Sequence, residues 1–212
     1  MSQLPADCLN EIFEYLKHVK HGSVTLYSCL LVNRLWCEVA VRLLWKEASD
    51  YNITNVITLI ACLPNESKEI LHNNGIIIPT PTLNLPMFNY ASFCKNLSIY
   101  LINTKIRCLL ENQPSISAHD LSNKIFIVVQ EIFKLFMNQV SSLKRLYVRN
   151  TNPNITLTIY PGTKDCLKNL SELICDSNTN SELIYQLSQI CHNLSSIRTE
   201  CIMILFQMGL EI

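Results

Sequence analysis

Residues 170–178 read LSELICDSN. Leu170, Leu173, Cys175 and Asn178 fall in the order L-x-x-L-x-L-x-x-N, with cysteine in the third apolar slot. Three other segments share parts of this order. LKRLYVRNTN places Leu143, Leu146 and Val148 in the first three slots, with Asn152 one residue late. LSSIRTECI supplies Leu194, Ile197 and Thr199, and an earlier segment supplies Cys94, Leu97 and Ile99. The steps from Leu143 to Leu170 to Leu194 are 27 and 24 residues. Both lie inside the period of roughly 20–29 residues at which strand–turn–helix units stack into a solenoid.

Helical patterns separate these strand signals. SNKIFIVVQEIFKLFMNQV is a long, broadly apolar helix, and SELIYQLSQICHNL buries Leu183, Ile184, Leu187, Ile190 and Cys191 behind a capping Ser181. NITLTIYPG alternates Ile155, Leu157 and Ile159 with threonine and predicts an extra strand inside one unit. The expected body, residues 93–212, is therefore a short, irregular leucine-rich-repeat solenoid. Its last stretch, CIMILFQMGLEI, has no polar capping unit, so the body is expected to be truncated or uncapped there. On the strands, Lys144, Arg145, Tyr147, Arg149, Ser171, Glu172, Ile174 and Asp176 are expected at exposed sites, and from these Lys144, Tyr147, Arg149, Glu172, Ile174 and Asp176 are drawn as a substrate-binding face.

Residues 49–92 read as a helical and extended linker packed on the repeats. ITNVITLIACL is stopped by Pro64, ESKEILHNNG ends at Gly75, and Pro79, Pro81 and Pro86 then hold the chain extended. Before that, residues 1–48 read as three short helices. The first opens at Pro5, which has no N–H to leave unpaired there, and Gly22 closes the turn after it. Leu9, Ile12, Phe13 and Leu16 form its apolar face. In the third helix Trp36, Val39, Ala40 and Leu43 share one side, and Trp45 is expected to join the two parts of the molecule. Such a small unit carries more apolar surface than its own core can enclose, so a partner is expected to cover Leu4 and Pro5.

Composition narrows the function classes. Hydrophobic residues make up 49% of the 212 and charged residues 16%, well below the roughly 25% of an average domain, which excludes disorder for most of the chain. Seventeen basic and seventeen acidic side chains cancel, so no global field attracts nucleic acid or an anionic membrane. Asp7, Glu11 and Glu14 interrupt the region where a secretory signal would need an apolar run, and no stretch is apolar enough to span a membrane. The ten cysteines contain no C-x-x-C pair, and no cysteine–histidine spacing fits zinc, so neither metal nor cofactor is expected. No nucleotide-binding or hydrolase fingerprint occurs among the four glycines, so an enzyme is not expected.

The first 46 residues resemble an F-box. Leu4, Pro5, Leu9, Ile12, Phe13, Tyr15 and Leu16 match the family's opening helix. Leu26, Leu30, Val32, Asn33, Arg34 and Trp36 match its middle, and Leu44, Trp45 and Lys46 its end. Two departures stand out: Asp7-Cys8-Leu9 replaces the usual Glu-Leu or Glu-Ile, and KHVKHGSV lacks the acidic residue often found before the second helix. The resemblance implies an adaptor of the F-box/leucine-rich-repeat subclass, binding a Skp-family subunit and through it a cullin and RING ligase, while the repeats hold an unknown protein substrate. The implied docking set is Leu4, Pro5, Ile12, Phe13, Leu16, Leu30, Val32 and Trp36, with Leu9 and Leu16 also serving the small internal core. A Skp-binding scaffold without a ligase role, or a non-functional truncated relative, is the alternative. The implied location is cytoplasmic or nuclear.

Overall fold

The first helix, α1 (Ala6–Lys17), starts behind Pro5 and carries Asp7 in its first turn and Lys17 in its last, which suits the helix dipole at both ends. Its inner face buries Leu9 and Phe13. A computed structural model describes residues 4–19, 22–79, 86–113, 116–149 and 159–200. Helix α2 (Gly22–Cys29) begins at Gly22 because nothing larger fits there: a Cβ would lie 1.7 Å from the Leu16 carbonyl oxygen. Gly22 thus opens the second helix rather than closing the first turn. Asn33 caps α3 (Arg34–Leu44), its side chain accepting from the Trp36 N–H at 3.0 Å.

These three helices enclose Leu9, Phe13, Leu26, Cys29, Val39, Ala40 and Leu43 in a small core of their own. Helix α3 also faces the other way. Val41 and the adjoining Trp45 enter a second, larger core. There Trp45 meets Tyr51 at 5.0 Å and Tyr90 at 4.6 Å between ring centroids, and the Tyr51 hydroxyl donates to the Trp45 carbonyl at 2.7 Å. Trp45 is the junction residue expected from the sequence.

The larger core runs from Val41 to Cys191. Helix α4 (Ile53–Ala61) starts with reciprocal side-chain caps between Asn52 and Asn55 and contributes Val56, Leu59 and Ile60. Helix α5 (Asn65–Asn73) follows Pro64 and ends before Gly75, whose φ of +64° is the left-handed turn that stops it. Residues 49–92 are therefore more than a linker: Val56, Leu59, Ile60, Leu71 and Ile76 are buried in the same core as the sheet.

Four strands then alternate with helices: β1 (Asn96–Ser98), α6 (Ile99–Glu111), α7 (Ala118–Gln139), β2 (Arg145–Val148), α8 (Thr163–Leu167), β3 (Glu172–Asp176), α9 (Ser181–Ser188) and β4 (Ser196–Glu200). The sheet is wholly parallel in the order β1-β2-β3-β4. Leu97, Leu146, Leu173 and Ile197 stand opposite one another in a single rung. One backbone device recurs at each step. The Lys46 carbonyl accepts N–H bonds from both Lys95 and Asn96, Lys95 from Lys144 and Arg145, Lys144 from Ser171 and Glu172, and Ser171 from Ser195 and Ser196. The first rung thus begins at the end of the helical unit, where Glu47 bridges Asn96.

Helices α6 and α8 are not among the elements expected from the sequence, and Ile99 opens α6 instead of ending β1. The third-slot residues Val148 and Cys175 are buried as expected, but Asn178 is exposed. Thr179 takes the tying role, its hydroxyl lying 3.1 Å from the Val148 carbonyl of the preceding strand. Residues 155–158 of the expected extra strand, and the apolar stretch 201–212, lie outside the described residues. No helix among the described residues is long and apolar enough to cross a membrane.

Candidate partner-docking face

An ordinary surface helix has one apolar side. Helix α1 has two. Behind the buried Leu9 and Phe13 lies a second row, Leu4, Cys8, Ile12, Tyr15 and Val19, all exposed. Ile12 is 46% and Tyr15 72% exposed, large values for apolar and aromatic side chains at helical spacing. The loop after α2 extends the surface with Leu31, 89% exposed, and Val32. Two ion pairs fix the helix beneath this face: Lys46 to Glu14 at 2.5 Å and Lys17 to Asp50 at 3.2 Å. Both join α1 to the segment that leads into the larger core.

A second candidate surface is the face of the sheet opposite the core. Asn96, Arg145, Glu172 and Ser196 form one rung of it, and Ser98, Tyr147, Ile174 and Arg198 the next. Lys144 and Arg145 are exposed and Tyr147 and Arg149 half-buried. Glu172, Ile174 and Asp176, expected at exposed sites, are buried. Strand β3 has neighbours on both sides, so Ile174 is flanked by Tyr147 and Arg198, and Glu172 is held by Arg145 at 2.6 Å and Arg198 at 3.0 Å. Asp176 accepts from the Asn178 N–H at 3.0 Å, closing the turn. These three residues shape the face from beneath.

Residues 1–49 match the family model described as F-box-like. The chain carries an F-box-like domain. Domains of this family bind Skp-family adaptors. Searches of curated proteins and of solved structures find no match for the chain.

Within the F-box-like domain the expected docking set divides. Leu4, Pro5, Ile12 and Val32 are exposed. Leu16, Leu30 and Trp36 are half-buried against the small core. Phe13 is 1% exposed, and the Trp36 ring stands edge-on to it at 5.2 Å, so Phe13 is a core residue that supports Trp36 and presents nothing to a partner. Tyr15, Val19, Leu31 and Cys8, outside the expected set, are exposed on the same surface. Tyr15 and Val19 were legible as the continuation of the Cys8–Ile12 spacing. Leu31 was not, because α2 ends at Cys29 and helical periodicity no longer governs which side chain turns out.

The chemistry of the remaining groups is quiet. Burial pushes the Cys94 and Cys166 thiols up to about 12 and Cys191 up to about 11, so all three stay protonated at neutral pH and behave as small core hydrophobes. Burial likewise raises Tyr51, with the neighbouring Cys94 adding to the shift. Among the described residues no three His, Cys, Asp or Glu side chains converge as a metal site.

Proposed function

We propose that this chain is the substrate-recognition adaptor of an SCF-type (Skp–cullin–F-box) ubiquitin ligase. The F-box-like domain docks on a Skp-family subunit, and the open face of the parallel sheet holds the protein substrate. The observation that carries the docking reading is the exposed apolar pair Ile12 and Tyr15 on a helix whose opposite face is already buried, continued by exposed Leu4 just ahead of it. Covering such a row with a partner helix removes apolar area from water at roughly 25 cal/mol per Å². The leucine-rich-repeat reading of the body is supported by the in-register rung Leu97, Leu146, Leu173 and Ile197 and by the recurring carbonyl that accepts two N–H groups. Among the described residues the nine cysteines are free thiols, which suits a reducing compartment, the cytoplasm or nucleus, where such a ligase works.

The test is binding of the purified Skp adaptor to wild type and to the Leu4→Ala/Pro5→Ala double variant, by calorimetry. The double variant is expected to bind about tenfold or more weakly, about 1.4 kcal/mol, with an unchanged unfolding midpoint. Undiminished binding overturns the docking face. Recovery of cullin together with Skp supports the ligase, and recovery of Skp alone assigns the chain to a Skp-bound scaffold.

A further inference from the structure

We propose that Arg145, Glu172 and Arg198 together form a carboxylate-binding site on the open face of the sheet, receiving an aspartate or glutamate side chain of a captured peptide. The inference deepens, and rests on, the reading of that face as the capture surface. Glu172 lies on β3 with β2 and β4 on either side. Arg145 stands opposite it on β2 and gives its Nε to Oε2 at 2.6 Å. Arg198, opposite Ile174 on β4, reaches back diagonally and gives Nη2 to Oε1 at 3.0 Å. The two oxygens of one carboxylate are thus divided between two guanidiniums.

Charge and exposure are stacked in opposite senses. The Glu172 side chain is 11% exposed, whereas those of Arg145 and Arg198 are 49% and 67% exposed. The negative group lies beneath and the positive heads above. Two guanidiniums against one carboxylate leave one positive charge over, which a monoanion balances. Each guanidinium has five N–H donors and gives one to Glu172 in these contacts, so donors remain for a ligand carboxylate. Adjacent strands lie about 4.8 Å apart and two residues rise about 6.6 Å, so the arginines are rooted about 12 Å from each other, Arg145 directly beside Glu172 and Arg198 on the diagonal. A free surface arginine loses much of its rotamer freedom when it is fixed. Here the shared carboxylate has already ordered both, which lowers the cost of binding. Asp176, the other acid on β3 that faces this side, is held in its own turn by the Asn178 N–H. Ile174 and Tyr147 supply an apolar floor beside the site.

The probe is fluorescein-labelled hexaglutamate, titrated against the full chain by anisotropy at low salt. Wild type is expected to bind it and to ignore hexalysine, with binding falling about tenfold between roughly 50 and 500 mM salt. Arg198→Gln, at an exposed side chain, is expected to weaken hexaglutamate binding about tenfold. Glu172→Gln is expected to tighten it about threefold, because the competing charge is gone while an acceptor remains. Unchanged affinity in Arg198→Gln, or equal losses in both variants, overturns the site. A phosphoserine peptide of equal length that binds about tenfold tighter than hexaglutamate overturns the carboxylate assignment in favour of phosphate. Skp adaptor binding, measured on the same samples, separates the two readings. A chain that binds hexaglutamate and not Skp sinks the ligase adaptor alone, and one that binds Skp and not hexaglutamate sinks this site alone.

Discussion

The F-box-like domain and the sheet body differ in how much of their apolar surface they keep to themselves. The body packs a core that runs from Val41 to Cys191, in which Leu97 and Leu146 each lie against the next strand's buried equivalent, while Ile197 on the last strand is 65% exposed. The F-box-like domain buries Leu9, Phe13 and Leu26 while leaving Leu4, Ile12, Tyr15 and Leu31 in water. The same composition, rich in leucine, isoleucine and aromatics, therefore produces an extended buried core in one region and, in the other, a small core backed by a second, exposed apolar row. The contrast teaches that hydrophobicity alone does not mark an interface. A second apolar row behind a buried one does. Helix α3 belongs to both regions, with Val39, Ala40 and Leu43 on one side and Val41 and Trp45 on the other.

Four substitutions probe that contrast. Phe133→Ala, at a fully buried site in the body, is expected to cost about 3–5 kcal/mol in chemical denaturation, with no rescue by a Skp adaptor. Trp45→Ala is expected to cost about 3 kcal/mol and to uncouple the two cores. Trp36 then remains as the sole tryptophan, and its fluorescence transition is expected to precede or follow the far-UV circular dichroism transition. Coincident transitions would show that α3 does not need Trp45 to weld the regions. Ile12→Ala is expected to leave stability within about 0.5 kcal/mol of wild type while weakening Skp adaptor binding by about 1.4 kcal/mol. A large stability loss there would move Ile12 into the core. The smallest effect is reserved for Asn52→Ala, which removes one half of the reciprocal cap of α4 and is expected to lower the unfolding free energy by about 1 kcal/mol without touching Skp binding.

Much of this architecture was legible in the residues. Apolar spacing located the three opening helices and the rung Leu97, Leu146, Leu173 and Ile197, because periodicity and steps of 27 and 24 residues survive in a single sequence. Helix α6 was lost because β1 is only three residues long and passes into the helix with no intervening turn. Ser98, which accepts from the Leu101 N–H at 3.3 Å, was the cap that marked it. Phe13 and Ile12 were interchangeable on paper, since both faces of α1 are apolar and periodicity does not say which one turns inward. Glu172, Ile174 and Asp176 were placed on the right face of their strand but not at the right depth. Alternation fixes the direction of a side chain, while its cover comes from Arg145, Tyr147 and Arg198 on strands distant in sequence.

The carbonyl of Lys46, which accepts from Lys95 and Asn96 as its counterparts do further along, gives the molecule a direction of growth. During synthesis the segment ending in Glu47 leaves the ribosome before any strand exists. In the folded chain β1 takes up the bonds offered at Lys46, and each later strand takes up those offered by its predecessor. Every step then closes a loop of one crossover rather than of the whole chain, and a longer crossover adds little entropic cost. The spacing from Leu97 to Leu146, 49 residues, can therefore sit in the same staircase as the later ones of 27 and 24. The end of the helical unit in this sense sets the first rung on which the sheet's register rests.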